Sequence, residues 1–463
     1  RGIYQYATGR KRFRGAEGTW RDAEDGVLEG NPIAQGSVDS TISFRLKVGP
    51  REEKELTYWL AAGRGFEEVR HLNRLVEEGG VTSLMRETQV YWFSWANKGM
   101  KTFPVPMEEY LPPRIIELYK RSLLTIRTQM DGSGAILAAN DTDILQFNRD
   151  HYSYMWPRDG ALVAHALSQA GYPELARRFF AFCGRVLSTG GFLWHKYNPD
   201  GSVGSSWHPW MGGEEPVLPI QEDETALVLF ALGHYYEKER DLEFIESLYR
   251  PFIRKAADFL LFYRDLATKL PLESYDLWEE RRGVFTFTAA AVYAGLMAAG
   301  KFARLFGHTQ IAHQYEQAAK EMRRAMLRHL FDPGLGRFIR GVYRDGDRLV
   351  PDPTLESSLY GLFGLGVFSA DDERIVRTMA AVAEGLWVKT SVGGLARYNQ
   401  DPYLRAVVGD GVPGNPWIIC TLWWAEYHIA RAKAPEDLEK ARRLLHWVVD
   451  HALGSGLLPE QLH

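Results

Sequence analysis

Cysteine, net charge and long hydrophobic runs are all scarce in this sequence of 463 residues, and each scarcity excludes a class of protein. The only cysteines, Cys183 and Cys420, stand in apolar helical patterns, which indicates buried thiols rather than a disulfide framework or a cysteine metal site. The formal net charge is −4 and no basic stripe occurs, which argues against a nucleic acid partner. No run of about 18 apolar residues occurs, so no transmembrane helix is predicted.

Aromatic residues, in contrast, are abundant, with 14 Trp, 22 Tyr and 23 Phe. Core packing explains most of them. Many of the Trp residues stand beside Gly, Pro, Asp or Glu, as in loops, and flat aromatic faces in loops also stack on the apolar faces of sugar rings. The composition, 45% hydrophobic and 25% charged, is that of a globular protein, and the length predicts more than one domain.

The first part of the chain reads as β-structure followed by helices. Alternation of apolar and polar residues over 41–48 predicts a half-buried strand, and residues 56–60 predict a second strand. We expect residues 1–63 to be the C-terminal part of an antiparallel β-sandwich. Residues 64–112 are expected to be a helical linker, with helices over 66–78 and 83–97. Because the sequence begins without Met inside strand-like sequence, we expect a truncated N-terminus.

Residues 113–463 show a repeating helical pattern in which short turns alternate with long loops. Helices are predicted near residues 113–129, 158–171, 173–187, 223–239, 241–263, 287–306, 308–330, 354–366, 371–384, 416–433 and 436–452. This alternation is typical of stacked helical hairpins. One more helix beyond the last residue would complete six hairpins, so we expect a mainly α (α/α)6 barrel that lacks its last helix. An open stack of hairpins is the alternative.

The long loops carry the chemically informative residues, first in the segment YDLWEERR at 275–282. Its carboxylates stand beside a Trp, and desolvation by an apolar ring raises the pKa of a carboxyl group. A carboxyl that stays protonated near neutral pH suits a general acid for a glycosidic oxygen. A salt-bridged turn, with Glu279 and Glu280 paired to Arg281 and Arg282, would explain the segment equally well.

Two helix starts are the next candidates. In YSYMWPRDG at 152–160, Arg158 and Asp159 are suited to bind vicinal sugar hydroxyls above an aromatic floor. A helix that begins at the proline with a surface ion pair is the plainer interpretation. The segment LPIQEDET at 218–225 is explained by an acidic helix start alone.

The last candidates lie near the C-terminus. In GGLARY at 393–398, glycines permit a tight backbone and Arg397 is a candidate donor to sugar hydroxyls. Glu460, in the segment PEQ, is a carboxylate in a loop, and its sequence context alone does not indicate a function.

Taken together, these segments resemble glycoside hydrolase family 15, the glucoamylase family, and especially its prokaryotic members. The matching stretches occur in the family's order between about residue 150 and residue 463, and they are YSYMWPRDGAL, LPIQEDETAL, YDLWEERRG, GGLARYN, GNPWIICTLWWAE and LLPEQ. Six ordered motifs are far more specific than any one of them. The strands before residue 63 are similar to the end of the β-sandwich that precedes the barrel in bacterial and archaeal members.

The resemblance implies an inverting, exo-acting hydrolase that releases β-D-glucose from the non-reducing ends of α-glucans or maltooligosaccharides. It implies that Glu279 is the general acid and Glu460 the general base. The resemblance also implies the residues that bind the sugar. Arg158 and Asp159 would hold the terminal glucose, and Tyr152, Trp156 and Trp278 would line its pocket. Glu280 and Arg397 would bind hydroxyls, Asp276 would tune the acid Glu279, and Trp207 would form a rim. An inverting mechanism needs the two carboxyls about 6.5–9.5 Å apart, which leaves room for a water.

Several alternatives stay open at this stage. The same scaffold serves glucodextranases, which cleave α-1,6 links, and some trehalases. A non-catalytic glucan-binding protein or a sugar phosphorylase is disfavoured because both carboxylates are present. No cofactor is required, structural calcium is not indicated, and no membrane partner is expected. The prokaryotic resemblance and two unbridged cysteines slightly favour the cytoplasm, although a missing N-terminus would hide a signal peptide; the oligomeric state is left open.

Overall fold

The computed structural model describes residues 2–11, 15–140, 152–206, 208–212, 215–346, 348–405 and 411–463. The chain forms two compact units, Arg1–Val90 and Tyr91–His463. Trp207, expected at the rim of the site, lies outside the described residues. The domain boundaries expected near residues 63 and 112 stay predictions.

The first unit combines one antiparallel strand pair with helices. Its strands are β1 (Gln5–Arg10) and β2 (Val38–Ser43), and they pair from Gln5 opposite Ser43 to Arg10 opposite Val38. The helices that begin in it are α1 (Trp20–Ala23), α2 (Phe66–Gly79) and α3 (Val81–Lys98). The last two confirm the helices predicted over 66–78 and 83–97.

The strand predictions for this unit are partly wrong. The strand predicted over 41–48 ends at Ser43, and residues 56–60 form no strand. A strand needs a hydrogen-bonded neighbour, and the register of β1 with β2 ends at Ser43. Beyond that point Leu46 and Val48 are exposed, so the alternating pattern there has no buried face.

The second unit is built from helices joined in pairs. Its helices are α4 (Pro113–Thr128), α5 (Pro157–Gln169), α6 (Pro173–Val186), α7 (Glu222–Glu239), α8 (Leu242–Leu248), α9 (Arg254–Phe262), α10 (Thr286–Leu305), α11 (Thr309–His329), α12 (Gly361–Gly364), α13 (Glu373–Leu386), α14 (Ile418–Arg431) and α15 (Glu439–Asp450). Single turns of 3-10 helix lie at Gly99–Thr102, Met107–Glu109, Ser357–Tyr360 and Pro435–Leu438. Tight turns through Gly171 and Gly307, both with positive φ, join α5 to α6 and α10 to α11.

The helices lie in two layers. In one layer α5 packs on α7, α7 on α10, α10 on α12 and α12 on α14, while α6, α11 and α15 pack on their hairpin partners outside it. The α10 sequence is apolar nearly all round and is buried along most of its length, as an inner helix requires. In contrast, α11 buries one stripe, which includes Ala312, Tyr315, Ala319, Met322 and Met326. The unit is therefore a mainly α, (α/α)6-type barrel, as the sequence predicts.

Two predicted helices are interrupted. Over 354–366 the structure has a 3-10 turn followed by the four-residue α12, because glycines at 361, 364 and 366 disfavour a longer helix and Gly366 has φ +75°. Over 241–263, α8 and α9 are separated by a π-helical turn at Tyr249–Ile253. This turn contains Pro251, which lacks the N–H that a continuous α-helix would use.

Short strands shape the loops between the helices. They are β3 (Met211–Gly212), β4 (Glu215–Pro216), β5 (Ser274–Tyr275), β6 (Arg282–Phe285), β7 (Phe331–Asp332), β8 (Arg337–Phe338), β9 (Gly341–Asp345), β10 (Arg348–Asp352), β11 (Leu395–Ala396) and β12 (Pro416–Trp417). A sheet in the order β10-β9-β6-β5 contains a hairpin in which Tyr275 lies opposite Arg282. Residues 276–281 therefore form the turn of this hairpin, and we call residues 274–285 the acid hairpin.

Both cysteines are buried free thiols, as the sequence predicts. Across the described part of the chain, no helix combines the length and the apolar composition needed to span a bilayer.

Candidate active site

A cavity of about 830 Å³ lies among the loops and helix starts of the second unit. It receives side chains from segments that are far apart in the sequence. Most of the predicted site residues line it, namely Tyr152, Trp156, Arg158, Asp159, Trp278, Glu279, Glu280, Arg397 and Glu460. Asp276 is the predicted residue that is described but does not line the cavity.

Asp276 instead fastens the turn of the acid hairpin. Its carboxylate accepts hydrogen bonds from the main-chain N–H groups of Glu280, at 2.8 Å, and Arg281, at 3.2 Å. Its carbonyl oxygen accepts the N–H of Glu279, at 3.0 Å, and the side-chain amide of Gln221. Burial raises the pKa of Asp276 to about 6, although the two main-chain donors oppose this rise. The carboxylate therefore orders the backbone around Glu279 from inside the turn.

Glu279 has an unusual backbone and a well-defined side chain. Its φ of +57° is in the left-handed region, which costs a non-glycine residue about 1–2 kcal/mol. The Nε1–H of Trp156 donates to its Oε1 at 2.6 Å, and His208 Nε2 lies 2.6 Å from its main-chain carbonyl oxygen. Its other carboxyl oxygen, Oε2, lies 3.8 Å from His195 Nε2. The backbone and the carboxyl are thus held by different neighbours.

The surroundings of Glu279 favour its protonated form. Burial raises the pKa of the Glu279 carboxyl, and the positive charges of Arg158 and Lys196 reduce that rise. His195 does not add a charge, because burial lowers its pKa to about 3. The 3.8 Å contact between His195 and Glu279 is therefore not an ion pair, even though the two groups are close enough to form one. The raised pKa agrees with the sequence-based expectation for this carboxyl.

Arg158 is anchored from behind by the start of a neighbouring helix. The guanidinium is buried at the start of α5, with Nη1 3.2 Å from Asp223 Oδ2 and 3.8 Å from Glu224 Oε1. Asp159 lies 3.6 Å away and is more than half exposed. Burial alone would lower the pKa of Arg158, but the carboxylates of Asp223, Asp159 and Glu224 raise it. The acidic helix start at residues 222–224 is fully buried, so it is not a solvated surface feature.

Glu280 and Arg397 form a second charged group in the cavity wall. Arg397 Nη2 donates to Glu280 Oε1 at 2.7 Å, and the same guanidinium makes two 2.7 Å bonds to Asp401. Tyr398 Oη and Arg281 Nη1 both donate to Glu280 Oε2, the latter at 2.8 Å. The salt-bridged turn considered for this segment is therefore present for Glu280, while Glu279 faces a different set of partners.

Trp278 is fixed by a buried carboxyl that the sequence analysis missed. Its Nε1–H donates to Glu356 Oε1 at 3.0 Å. Glu356 is buried, and burial together with the nearby charge of Asp276 raises its pKa to about 7. The Arg397 guanidinium carbon lies 5.1 Å from the Trp278 ring centroid and 4.7 Å from that of Trp417. These contacts give the aromatic wall of the cavity a defined orientation.

The main chain around Glu460 is hydrogen-bonded to β12 and to the first residue of α14. The carbonyl oxygen of Glu460 accepts the N–H of Ile418 at 3.3 Å, and Leu462 N–H donates to Pro416 at 2.9 Å. The next residue, Gln461, accepts a side-chain hydrogen bond from Asn415 at 2.8 Å. The GNPW motif at 414–417 thus holds the segment that carries Glu460.

Glu279 and Glu460 interact electrostatically with some of the same residues. Although Glu460 keeps contact with solvent, the protein atoms around it desolvate its carboxyl and raise its pKa, and Asp159 adds to the rise. Asp159 also adds to the rise at Glu279. Burial, the 3.1 Å hydrogen bond to Tyr403 and the charges of both glutamates raise the pKa of Tyr152. Asp159 and Tyr152 are therefore within electrostatic reach of both glutamates.

Sequence reasoning missed several residues that shape this site. Lys196 is fully buried, with Nζ 4.8 Å from the Tyr154 ring centroid and 5.1 Å from that of Trp156. Its position in the apolar and aromatic segment FLWHKY was an available signal. His208, Glu356 and Tyr403 gave no such signal, because their roles depend on contacts with distant loops. Among the residues that the structure describes, no group of three His, Cys, Asp or Glu side chains is placed to hold a metal ion.

Comparison with known proteins identifies the family of this chain. Residues 115–455 match the family described as glycosyl hydrolases family 15. An uncharacterized glycosyl hydrolase of Methanocaldococcus jannaschii is 26% identical over 96% of this chain and 67% of its own length. Trehalase 2 of Sulfolobus acidocaldarius is 26% identical over 71% of this chain and 56% of its own, and isomaltose glucohydrolase of Kribbella flavida is 27% identical over 75% and 83%.

The fold has a solved counterpart. A bacterial glucoamylase in complex with acarbose matches 100% of this chain and 66% of its own, with a TM-score of 0.69 and 20% sequence identity. At this identity the likeness concerns the fold alone. The chain spans about two thirds of the first curated relative and little more than half of the second. Because the family match covers most of the sequence, the chain belongs to glycosyl hydrolases family 15, whose members hydrolyse glycosidic bonds.

Proposed function

We propose that this protein is an inverting, exo-acting α-glucoside hydrolase that releases β-D-glucose from the non-reducing ends of α-glucans. The observation that carries the proposal is that Glu279 and Glu460 line one cavity together with a buried arginine and an aromatic wall. Both carboxyls are partly desolvated, and their pKa values are raised.

In this proposal Glu279 is the general acid that protonates the glycosidic oxygen. Its raised pKa keeps the carboxyl protonated to a higher pH than that of an ordinary glutamate. The Trp156 N–H occupies Oε1 as a donor, so the proton of the neutral carboxyl resides on Oε2. Among the described residues Oε2 has no hydrogen-bond partner that would compete for this proton.

Glu460 would then be the general base. It keeps contact with solvent, so a water can reach it, and its main chain is tied to β12. Glu460 would take a proton from that water as it attacks the anomeric carbon from the face opposite the leaving oxygen. A single displacement of this kind converts an α-linked substrate into β-D-glucose.

The remaining charged residues suit recognition of a terminal sugar. Arg158 is held by Asp223 and Glu224, and Asp159 beside it is exposed to the cavity. Tyr152 and Trp156 are stacked 6.1 Å apart, which offers an aromatic surface for a sugar face. Glu280 and Arg397 present a second set of polar atoms in the same cavity.

Trehalose and α-1,6-linked glucosides are the alternative substrates. Both substrates should be tested, because the relatives named trehalase and isomaltose glucohydrolase have nearly the same sequence identity to this chain, 26% and 27%. The same two glutamates would serve in each case, because only the sugar bound beyond the cleaved bond differs.

The test is glucose release by the purified protein from maltotetraose, isomaltose and trehalose, measured side by side, with the anomer of the first product read by proton NMR. Glu279→Gln and Glu460→Gln should each lower kcat by about 10²- to 10⁴-fold. Glu384→Gln, which changes an exposed glutamate of α13, is the matched control. Near-normal kcat in either cavity variant would refute the role of that residue, and release of α-glucose from maltotetraose, whose leaving group is maltotriose, would refute inversion.

A further inference from the structure

We propose that His208 is a positioning residue, which holds the main chain of Glu279 through a hydrogen bond to its carbonyl oxygen. This inference rests on the proposed role of Glu279 as the acid. His208 Nε2 lies 2.6 Å from Glu279 O, although the two residues belong to different loops. No motif in the sequence points to His208, and it does not line the cavity.

The chemistry of the contact fixes the form of the imidazole. A carbonyl oxygen can only accept, so Nε2 must carry the hydrogen. Burial lowers the pKa of His208, while the bond to Glu279 opposes this, and the ring therefore donates as a neutral group at neutral pH. A neutral donor supports the carbonyl without adding a charge beside the carboxyl that must stay protonated.

The ring itself is held by aromatic contacts. His208 is stacked on Tyr275, with centroids 4.1 Å apart and planes 22° apart. Trp210 meets both rings edge-on, at 5.7 Å from His208 and 5.1 Å from Tyr275. Because Tyr275 belongs to β5 of the acid hairpin, His208 contacts this hairpin both in its strand and at Glu279 itself. The imidazole is thus placed before any substrate binds.

The hydrogen bond acts where the backbone is strained. With φ at +57°, Glu279 has a conformation that a non-glycine residue leaves readily when its peptide groups lose their partners. Asp276 O holds the N–H of Glu279, and His208 holds its carbonyl, so both ends of the residue are fixed. The direction of the side chain follows from the backbone, and Trp156 then fixes the carboxyl.

Three variants separate the hydrogen bond from the packing. His208→Phe keeps a ring to stack on Tyr275 but has no donor. His208→Gln places an amide N–H near the position of Nε2, whereas His208→Asn has the same chemistry with a shorter reach. Rates are compared on maltose, whose leaving group needs a proton, and on α-D-glucosyl fluoride, whose leaving group needs little acid assistance.

We expect His208→Phe and His208→Asn to lower kcat on maltose by about 10- to 100-fold, since small displacements of a catalytic group have effects of this size. On the fluoride the loss should stay below about threefold, and His208→Gln should recover most of the maltose activity. In a Glu279→Gln background, His208→Phe should cause no further loss, because two residues that act through one group are not additive.

Equal losses on both substrates, no recovery with glutamine, or a full additional loss in the Glu279→Gln background would each overturn the proposal for His208. Wild-type rates on maltose in both His208→Phe and His208→Asn would also overturn it. The proposed function fails in a different way, namely if Glu279→Gln itself hydrolyses maltose at the normal rate. Melting temperatures of all variants show that each is folded at the assay temperature.

Discussion

The two segments that carry the cavity glutamates are built in opposite ways. The acid hairpin is closed by side-chain to main-chain hydrogen bonds, with Asp276 inside the turn and Glu279 in a left-handed conformation. The Glu279 side chain is only 11% exposed. The segment around Glu460 is extended along β12, makes ordinary main-chain hydrogen bonds and keeps Glu460 in contact with solvent.

The difference follows from what the two proposed roles need. An acid must keep its proton, and burial in a rigid turn raises its pKa for that purpose. A base that activates water must be reached by water, so a tight buried turn would work against it. We therefore expect the acid hairpin to be sensitive to single changes and the Glu460 segment to be tolerant of them. The following changes test that contrast.

The largest effect is expected for Asp276→Ala. Its carboxylate accepts two main-chain N–H groups in a buried turn, and removing it leaves both donors without that acceptor. We expect a loss of about 1–3 kcal/mol in the free energy of unfolding and a fall in kcat of about 10²-fold, because the acid is displaced. Denaturant titration and initial rates on maltotetraose measure the two effects.

Asp276→Asn is the control for this change, since its amide oxygen still accepts a hydrogen bond and its size is the same. It should lie between wild type and the alanine variant in both measurements. A stable Asp276→Ala protein with normal kcat would show that the acid hairpin does not depend on this carboxylate.

An intermediate effect is expected on the pH profile of Lys196→Met. The charge of Lys196 lowers the pKa of Glu279, so removing it raises that pKa further. In the proposed mechanism, activity is lost as pH rises through the pKa of Glu279, because this carboxyl must be protonated to act as the acid. The alkaline limb of kcat/KM should therefore move to higher pH, while the acid limb, which the proposal assigns to Glu460, should stay in place. Among the described residues, the charges that shift the pKa of Glu460 are those of Arg397 and Asp159.

Lys196→Arg keeps the buried positive charge and should leave both limbs near their wild-type positions. If both limbs moved together in Lys196→Met, the lysine would act on the whole cavity, and the electrostatic contrast between the two glutamates would be lost.

The contrast also explains how much of the site was predictable. Glu279 has a local signal, because a Trp and further carboxylates stand beside it in the sequence. Glu460 has none, and only its place in an ordered set of motifs pointed to it. His208 and Lys196 act through contacts with distant loops, and a single sequence does not encode such contacts in a readable pattern. Asp276 was expected to affect the acid, but a sequence does not show that its carboxylate accepts hydrogen bonds from the main chain of its own turn.

The fold divides in a similar way. The helices of the barrel were predictable because their apolar spacing repeats over long segments. Residues 354–366 share that spacing, yet their glycines leave only a short helix. The strand predicted over 41–48 has the right alternation but no neighbour beyond Ser43. Periodicity thus predicts secondary structure well where neighbouring elements pack through the same repeating pattern. It predicts poorly where an element depends on hydrogen bonding or packing with a segment far away in the sequence.

The smallest effect is expected for Asn415→Ala in the Glu460 segment. This change removes the side-chain hydrogen bonds of Asn415 to Gln461 and to the carbonyl oxygen of Leu404, but leaves the main-chain bonds between residues 416–418 and 460–462. We expect a loss of about 0.5–1.5 kcal/mol per hydrogen bond in the free energy of unfolding and less than a tenfold fall in kcat. Measured beside Asp276→Ala, it shows whether the Glu460 segment is the tolerant one. A larger loss of kcat in Asn415→Ala than in Asp276→Ala would reverse the contrast, since the position of Glu460 would then depend on this single amide.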